Sequence, residues 1–325
     1  MKHSSRNQLI EYLSTMDQEY ISGPELSKIL NISRTAVWKH INELKKDGYQ
    51  FETVHKKGYK LIQTPSHLSE SSLQWDLHTK WLGKNLIYKE ELGSTQTLAH
   101  QLAQDDAPHG TVVITNNQTS GRGRLNRKWE SNHSDGIWMS IILRPKLAPY
   151  NASQMTLFTA VTLVDTLNTL TNLNVQIKWP NDLFINGKKC CGILTEMQAE
   201  LDGIQYMVIG IGMNVNQDAH SFSEELLHQA TSIRMETGEQ WDRKQLITAI
   251  LDNFEKAYKT YMDNGFSQIK QKWTKNAYKL NEKVHITMSN QSFDATIKGI
   301  TEDGALLVFS DEEELVRVYS AEINW

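Results

Sequence analysis

The chain has 325 residues, a formal net charge of −4, 39% hydrophobic residues and 22% charged residues. This balance is too apolar for a disordered chain, and no apolar run approaches the roughly 20 residues that a membrane helix needs. The start of the chain lacks the apolar core of a signal peptide, and the length predicts two or three domains at about 150 residues each. The only two cysteines, Cys190 and Cys191, are adjacent. Because adjacent cysteines form neither a disulfide framework nor a zinc site, we expect a reduced, cytoplasmic protein.

The first 62 residues differ in charge from the remainder, since they hold 10 lysines and arginines against 7 aspartates and glutamates. Their apolar spacing predicts one helix near the start, a second over 24–30 and a third over 33–46. Two strand-like runs over 49–54 and 59–62, joined by a basic turn, predict a hairpin with a positive tip. This order of three helices and a basic hairpin resembles a winged helix-turn-helix domain over residues 1–63.

The third helix carries a polar and basic face that suits entry into a DNA major groove. Together with the basic turn, this face gives the candidate DNA-binding residues Ser33, Arg34, Thr35, Trp38, Lys39, Asn42, Lys56 and Lys57. The alternative is a small helical domain that contacts other proteins. We favour DNA as the partner, because the order of three helices and a basic hairpin resembles winged helix-turn-helix domains across the whole segment.

Residues 64–75 are polar and rich in residues that interrupt helices, and they predict a linker. Residues 76–275 then alternate apolar strand-like runs with long helical stretches. The predicted strands cover 86–88, 111–115, 137–143, 175–179, 193–197 and 206–211, and the predicted helices cover 94–102, 153–170 and a stretch that begins near 242. The Asn186-Gly187 pair predicts a type I′ hairpin. Hairpins mixed with long helices indicate an α+β domain with a mixed sheet rather than a doubly wound sheet.

A glycine- and arginine-rich loop spans residues 121–129 and reads Gly-Arg-Gly-Arg-Leu-Asn-Arg-Lys-Trp. Its glycines allow backbone N–H groups to approach an anion closely, and its guanidinium groups can pair with carboxylate or phosphate. Trp129 can cover a flat ring. The loop lacks the G-x-x-x-x-G-K-[S/T] signature of a P-loop. Its composition favours an anion-binding loop over a solvated basic loop.

Two further motifs lie downstream of this loop. Lys-Trp-Pro-Asn-Asp at 178–182 leads into the predicted hairpin, whose second strand carries Lys189 before Cys-Cys-Gly-Ile-Leu. An aspartate and a lysine thus lie on adjoining strands, although spacing alone favours a surface hairpin with solvated charges. Gly-Ile-Gly-Met-Asn-Val-Asn at 210–216 is not a dinucleotide fingerprint, because Val215 occupies the third glycine position and no β-α-β unit surrounds it. Its glycines and Asn214 can instead line a ring pocket.

Residues 276–325 contain short alternating runs separated by turns such as Asp303-Gly304. Short strands at this spacing predict a small β-barrel. From the residues alone, this barrel can simply cap the preceding sheet.

The loop at 121–129, the segments at 178–182 and 210–216, and the lysine before Cys-Cys-Gly-Ile-Leu occur in this order in biotin–protein ligases. The chain resembles that family over essentially its whole length, and its basic winged domain resembles the bifunctional members that also repress the biotin operon. The resemblance implies an α+β chain with an N-terminal winged helix-turn-helix, a central α/β ligase domain and a C-terminal SH3-like barrel. One departure is Asn126, which stands where the family loop has its third glycine. Asparagine tolerates left-handed backbone angles better than most residues.

The resemblance also implies a two-step reaction that uses biotin and ATP, with Mg²⁺ bound to the nucleotide. The biotin carboxylate attacks the α-phosphate to give biotinyl-5′-AMP and pyrophosphate, and a lysine of a biotin carboxyl carrier protein or domain then attacks the mixed anhydride. The implied catalytic residues are Arg122, Asp182 and Lys189. The implied biotin-binding residues are Ser94, Thr95, Gln96, Gln118, Arg122, Gly123, Arg124 and Lys189. The implied residues for ATP and the adenylate are Arg124, Arg127, Trp129 and Asn214.

The family's regulation implies that the adenylate acts as corepressor. Its binding would order the loops at 121–129 and 222–233 and favour a homodimer that reaches two operator half-sites. We expect no resident metal and no membrane partner. The alternatives are a ligand-sensing transcription factor without ligase activity, which the intact Asp182 and Lys189 disfavour, and a lipoate–protein ligase. The winged domain and the complete arginine-rich loop favour biotin over lipoate.

Overall fold

Eight stretches of the chain are described by the structure, which is a computed structural model. They are residues 5–15, 19–46, 48–54, 56–63, 68–200, 203–288, 291–311 and 314–324. The chain divides into two units, Met1–Leu77 and His78–Trp325. His55 of the predicted basic turn and residues 64–67 of the predicted linker lie outside the described residues.

The first unit has the helical order and hairpin that the sequence predicts. Its elements are α1 (Ser5–Thr15), α2 (Gly23–Leu30), α3 (Arg34–Lys46), β1 (Gln50–Val54) and β2 (Gly58–Gln63). Leu9 of α1, Leu26 of α2 and Val37, Ile41 and Leu44 of α3 are buried in one cluster. The inward spacing on α3 therefore leaves its polar face toward solvent.

Side chains and turn residues set the ends of the two central helices. The Ser22 hydroxyl accepts a hydrogen bond from the Glu25 N–H at 3.3 Å and caps α2. Asn31 ends α2 with a left-handed φ of 52°, and the Ser33 hydroxyl accepts from the Ala36 N–H at 3.1 Å where α3 begins. The tight turn between α2 and α3 is therefore encoded locally.

The segment predicted as a linker contains a helix that its polar sequence did not predict. Helix α4 (Glu70–Trp75) begins after Ser69, which exchanges side chain-to-backbone hydrogen bonds with Ser72 in a capping box. Leu73 is fully buried, and α4 packs on α1. Ser69 and Ser72 are therefore helix-capping groups.

The wing is pinned to the chain that precedes α2. Ile21 and Tyr59 exchange two backbone hydrogen bonds of 3.0 and 2.9 Å. Gly58 adopts a φ of +110°, and a Cβ there would lie 1.9 Å from the Ile21 carbonyl oxygen. Only glycine fits this position.

Gly58→Ala is expected to destabilise the first unit by about 3 kcal/mol or more, because the added methyl meets backbone that cannot move aside. Gly23→Ala is the matched control, since its Cβ would meet the Tyr59 ring at an ordinary 3.7 Å. We expect the control to change stability by less than about 0.5 kcal/mol. Urea unfolding of both full-length variants tests this, and equal midpoints would contradict the packing argument.

The second unit is built on a seven-stranded mixed sheet, as the sequence predicts. Its strands follow the order β3-β4-β5-β9-β8-β7-β6, with only β3 and β4 parallel among the described pairs. They are β3 (Leu86–Leu92), β4 (Val112–Gln118), β5 (Gly136–Leu143), β6 (Gln176–Lys178), β7 (Asp182–Ile185), β8 (Lys188–Glu200) and β9 (Gly203–Asn214). Asn186 and Gly187 join β7 to β8 with positive φ angles of 50° and 79°. The predicted type I′ hairpin is confirmed.

Helices cover both faces of this sheet. They are α5 (Thr95–Gln104), α6 (Ala152–Thr171), α7 (Ile233–Thr237), α8 (Arg243–Asn264) and α9 (Ser267–Asn276). Helix α5 packs on one face, and α6 packs on the other with α8 against it. The Phe158 and Phe254 rings meet edge-on between α6 and α8, with centroids 5.0 Å apart.

The last strands form a five-stranded antiparallel sheet in the order β13-β12-β11-β10-β14. They are β10 (Lys283–Thr287), β11 (Ser292–Ile300), β12 (Leu306–Ser310), β13 (Leu315–Val318) and β14 (Glu322–Asn324). The Trp179 indole N–H donates to the Gly304 carbonyl at 3.2 Å and ties this sheet to the larger one. Among the described residues, no helix is long and apolar enough to cross a membrane.

Candidate active site

One row of residues runs across the larger sheet from its interior to its edge. Directly opposed residues on neighbouring strands are Trp138, Gly212, Gly192, Asp182 and Lys178, on β5, β9, β8, β7 and β6 respectively. Opposed residues in an antiparallel pair share a face. We call this set the central row, and it passes from two glycines to two charged groups at the edge.

The indole of Trp129 covers the two glycines of the central row. A Cβ on Gly212 would lie 2.7 Å from the indole nitrogen, and one on Gly192 would lie 3.0 Å from the ring. The absence of a side chain at these two glycines therefore lets the Trp129 indole pack directly on the sheet. Its N–H is buried and remains without a hydrogen-bond partner.

Backbone hydrogen bonds join the two ends of the arginine-rich loop, residues 121–123 and 127–129. The backbones of Arg122 and Lys128 form an isolated antiparallel β-bridge. The Gly123 N–H donates to the Arg127 carbonyl at 2.8 Å, and the Trp129 backbone N–H donates to the Gly121 carbonyl at 3.0 Å. A short 3₁₀ turn over Arg124–Asn126 forms the tip. The left-handed backbone angle of this tip falls on Leu125, with φ 55°. Leu125, and not Asn126, therefore takes the left-handed conformation in this loop.

Asp182 and Lys189 meet as the hairpin spacing allows. The Lys189 ammonium lies 2.7 Å from Asp182 Oδ2 and 5.1 Å from the centroid of the Trp129 ring. Asp182 Oδ1 is buried and has no hydrogen-bond partner. The Lys189 backbone also pairs with the predicted loop at 222–233, since its N–H donates to the Gln229 carbonyl at 2.8 Å. The ammonium is thus held beside the aromatic ring, and one carboxylate oxygen remains available.

The three predicted arginines reach three different places. Arg124 donates to Asn181 Oδ1 at 3.1 Å, and burial lowers the pKa of its guanidinium while nearby Asp182 opposes that change. Arg122 lies 3.7 Å from Glu196, and Arg127 pairs with Glu322 of β14. In this structure only Arg124 joins the Asp182–Lys189 pair.

A buried polar network lies where α5 begins. Gln118 Oε1 accepts hydrogen bonds from the Thr95 N–H at 2.9 Å and the Thr95 hydroxyl at 3.1 Å. The Ser140 hydroxyl of β5 lies 2.9 Å from that of Thr95 and donates to Gln96 Oε1 at 3.1 Å. The Ser94 hydroxyl makes no capping hydrogen bond to α5. Three of the four predicted ring-binding residues, Thr95, Gln96 and Gln118, therefore share one network with Ser140, and Ser94 directly precedes α5.

Gln96 differs from its neighbours because its amide is already engaged. Its Nε2 donates toward the Val208 carbonyl at 3.2 Å and Glu196 at 2.9 Å, and a Cβ on Gly210 would lie 2.5 Å from its Oε1. Only 3% of Gln96 is exposed. The Gln96 amide is therefore already hydrogen-bonded within the protein and supports the neighbouring residues.

Glu196 was missed by the sequence analysis, yet it joins several predicted residues. Its Oε2 accepts from Gln96, lies 3.0 Å from His100 Nε2 and faces Arg122. Alternation along β8 places Gly192 and Glu196 on one face, which is the signal that could have identified it. Four residues of strand separate Gly192 from Glu196 by roughly 13 Å, and the Arg122 guanidinium lies 3.7 Å from Glu196 in this structure.

Asn214 lies at the end of β9 and is 4% exposed. Its Nδ2 donates to the Thr231 carbonyl at 3.0 Å, so it fastens the loop at 222–233 to the sheet. This contact and the Lys189–Gln229 hydrogen bond place that loop beside the strands that carry Gly212 and Lys189.

The predicted DNA-binding residues of the first unit are exposed on α3 and on the wing, except for Asn42, which is half-buried. Trp38 is 59% exposed at the middle of α3, and Arg34, Thr35 and Lys39 are exposed beside it. On the wing, Lys57 lies 5.6 Å from the Tyr20 ring centroid, and Lys56 is exposed with a φ of 64°. Trp38 is therefore not part of the core of the first unit.

Three family models match the chain in sequence. Residues 5–60 match a helix-turn-helix (HTH) domain, residues 89–214 match the biotin/lipoate A/B protein ligase family, and residues 279–324 match the biotin protein ligase C-terminal domain. The middle match contains the arginine-rich loop, Asp182, Lys189 and Asn214.

Two curated relatives and one solved structure extend over most of the chain. The bifunctional ligase/repressor BirA of Bacillus subtilis is 45% identical and covers 100% of this chain and 99% of its own length. The bifunctional ligase/repressor BirA of Escherichia coli is 28% identical, and the match covers 90% of this chain and 89% of that protein. A biotin protein ligase from Aquifex aeolicus in complex with biotin and ATP superposes with a TM-score of 0.65 at 30% identity, over 74% of this chain and 98% of that one.

Proposed function

The chain belongs to the biotin–protein ligase family, among its bifunctional ligase/repressors, and on that premise we propose both of its activities. As a ligase it makes biotinyl-5′-AMP from biotin and ATP and transfers biotin to a lysine of biotin-dependent carboxylases. As a repressor it binds the biotin operator with that adenylate as corepressor. The observation that carries the proposal is the Asp182–Lys189 pair, 2.7 Å apart, beside Arg124 and the ring of Trp129.

The candidate site has polar side chains at its interior end and cations at the other end, which suits biotin. We assign its interior end to the ureido ring, where Ser94, Thr95 and Gln118 supply donors and acceptors. The Trp129 indole, which packs on Gly192 and Gly212, offers a flat surface to aromatic or aliphatic groups, and Lys189 receives the biotin carboxylate. Asn214 and Trp129 are assigned to the adenine side. Gln96 supports this pocket from below, because its amide is bonded to Ser140 and Glu196.

In the first step the biotin carboxylate oxygen attacks the α-phosphorus of ATP, and the bond to the bridging oxygen breaks. Both reactants are anions, so fixed cations must lower their repulsion. Lys189 and Arg124 are placed to do this, and Arg122, Gly123 and Arg127 would join them if the loop at 121–129 closes over the nucleotide. Closure would also keep water from the mixed anhydride.

In the second step the acceptor lysine attacks the carbonyl carbon of biotinyl-5′-AMP, and AMP leaves. We assign Asp182 to orient the amine and accept its proton, since Oδ1 is buried without a partner while Oδ2 contacts Lys189. Lys189 remains beside the negative charge that develops on the carbonyl oxygen.

Mg²⁺ is proposed as part of the nucleotide substrate. Among the described residues no group of three histidine, cysteine, aspartate or glutamate side chains is arranged to hold a metal. Mg²⁺ in nucleotide sites is commonly held by one or two carboxylates together with phosphates and water. The free Oδ1 of Asp182 fits that requirement. The ion would supply charge neutralisation to the phosphates.

The first unit is proposed to contact operator DNA through Ser33, Asn42 and the exposed residues of α3 and the wing. Binding of the adenylate would favour a homodimer, and a dimer presents two such surfaces to two half-sites. This coupling requires that the adenylate bind the dimer-forming state more tightly. Operator binding that is independent of biotin and ATP would contradict it.

Cys190 and Cys191 are buried free thiols, which supports a cytoplasmic location.

The deciding assay combines labelled biotin, ATP, Mg²⁺ and a biotin-carrier domain, with lipoate as competitor. Biotin transfer to the carrier lysine that lipoate does not suppress is the expected result. Labelled lipoate transfer would favour the lipoate–protein ligase alternative. Biotin binding without transfer would favour a ligand-sensing transcription factor.

A further inference from the structure

Lys178 lies at the edge end of the central row, and the sequence analysis gave it no role. It is the last residue of β6 and stands directly opposite Asp182 of β7. Phe184 lies two residues further along β7, hence on the same face, and is opposed by Lys189 of β8. The Lys178 ammonium lies 5.2 Å from the centroid of the Phe184 ring. Two lysines on β6 and β8 therefore flank one aspartate on a single face.

Positive charge exceeds negative charge in this corner of the sheet. The Lys178 ammonium interacts electrostatically with Asp182, Lys189 and Arg127, and Arg124 interacts with Asp182 and Arg127. Burial lowers the pKa of Lys178, with Asp182 opposing that change. Cations collected around one carboxylate and partly removed from water require an anion to balance them.

The position of Lys178 indicates which anion it meets. Neighbouring strands lie about 4.8 Å apart, so Lys178 is roughly 14 Å from Gly212 along the central row. Gly192 and Gly212, which Trp129 covers, lie at the interior end of the candidate site. Asp182 and Lys189 lie next to them, at the reacting centre. Lys178 comes next, on the outermost strand, where a leaving group departs toward solvent.

We propose that Lys178 binds the β- and γ-phosphates of ATP and then the departing pyrophosphate, as a catalytic residue of the first half-reaction alone. This rests on the proposed ligase function. When the biotin carboxylate bonds to the α-phosphorus, the electron pair of the broken bond stays on the bridging oxygen of pyrophosphate. The ammonium stabilises that charge without transferring a proton. The second half-reaction contains no pyrophosphate, so Lys178 has no part in it.

The test compares Lys178→Met, which retains the length of the side chain, with Lys178→Arg and with the control Lys256→Met. Lys256 is exposed on α8. Three rates are measured on the full-length chain: pyrophosphate release at varied ATP, exchange of labelled pyrophosphate into ATP, and single-turnover transfer from preformed biotinyl-5′-AMP to a carrier domain. Thermal unfolding of each variant is recorded alongside.

For Lys178→Met we expect kcat/KM for ATP to fall about 10- to 100-fold and KM for pyrophosphate to rise about 10-fold. Transfer from preformed adenylate is expected to stay within about twofold of wild type. Lys178→Arg should recover most of the first-step rate, and Lys256→Met should match wild type.

Unchanged ATP and pyrophosphate kinetics in Lys178→Met would overturn the assignment. An equal loss in the transfer step would also overturn it, because a general disturbance of the site affects both steps. If the wild-type chain releases no pyrophosphate with biotin and ATP, then the proposed function itself fails, and the Lys178 assignment falls with it. An active wild type with an unaffected variant rejects the Lys178 assignment alone.

Discussion

Lys189→Ala is expected to reduce the formation of biotinyl-5′-AMP by about 10³-fold or more, the largest effect of any single substitution in the site. Its ammonium is in direct contact with Asp182, at 2.7 Å. Removing it leaves the carboxylate of Asp182 facing the carboxylate of biotin and the phosphates of ATP. The repulsion then adds to the lost attraction.

The measurement is pyrophosphate release at saturating biotin and ATP. Lys188→Ala is the matched control, because Lys188 is the preceding residue and its ammonium instead reaches the Leu227 carbonyl at 3.5 Å. We expect the control to retain a rate within about twofold of wild type. Release by Lys189→Ala within a few-fold of wild type would remove this residue from the catalytic set.

Arg124→Gly is expected to raise the rate at which free biotinyl-5′-AMP escapes by about 10- to 100-fold. Its guanidinium donates to Asn181 and is desolvated beside Asp182, where the phosphate of the adenylate would lie. Charge-assisted hydrogen bonds to phosphate are lost in the variant, and the loop at 121–129 loses the hydrogen bond from Arg124 to Asn181. The bound adenylate is then less well enclosed.

Arg122→Gly provides the comparison within the same loop, with the same change in backbone freedom. The sequence analysis assigned Arg122 a catalytic role, but its guanidinium faces Glu196 in this structure. We therefore expect Arg122→Gly to leak less adenylate than Arg124→Gly. Trapping of released biotinyl-5′-AMP by dilution into unlabelled ligand measures both rates. A larger leak from Arg122→Gly would show that closure of the loop reverses the order.

Local sequence signals predicted much of the first unit. The cap at Ser33, the inward spacing of Val37, Ile41 and Leu44, and the basic hairpin each depend on residues within a few positions of one another. The failure at α4 has a related cause. Serine favours both turns and helix N-termini, and only the burial of Leu73 against α1 decides between them.

In the candidate site, the sequence placed Asp182 and Lys189 on adjoining strands because the Asn186-Gly187 turn fixes the hairpin between them. It could not place Lys178 in the same row as Gly212, because that alignment needs the order and register of four strands. Nor could it separate Arg122 from Arg124, since the two reach partners far along the chain.

The sequence by itself determined the kinds of element, the winged first unit, the hairpin and the family to which the motifs belong. These follow from backbone preferences and side-chain spacing, which act between near neighbours. The tertiary structure alone decided that two glycines accept the Trp129 indole, that Glu196 faces Arg122, and that Lys178 ends the central row. Such contacts depend on strand register and packing between distant segments, where one residue of slip reverses the face that a side chain occupies.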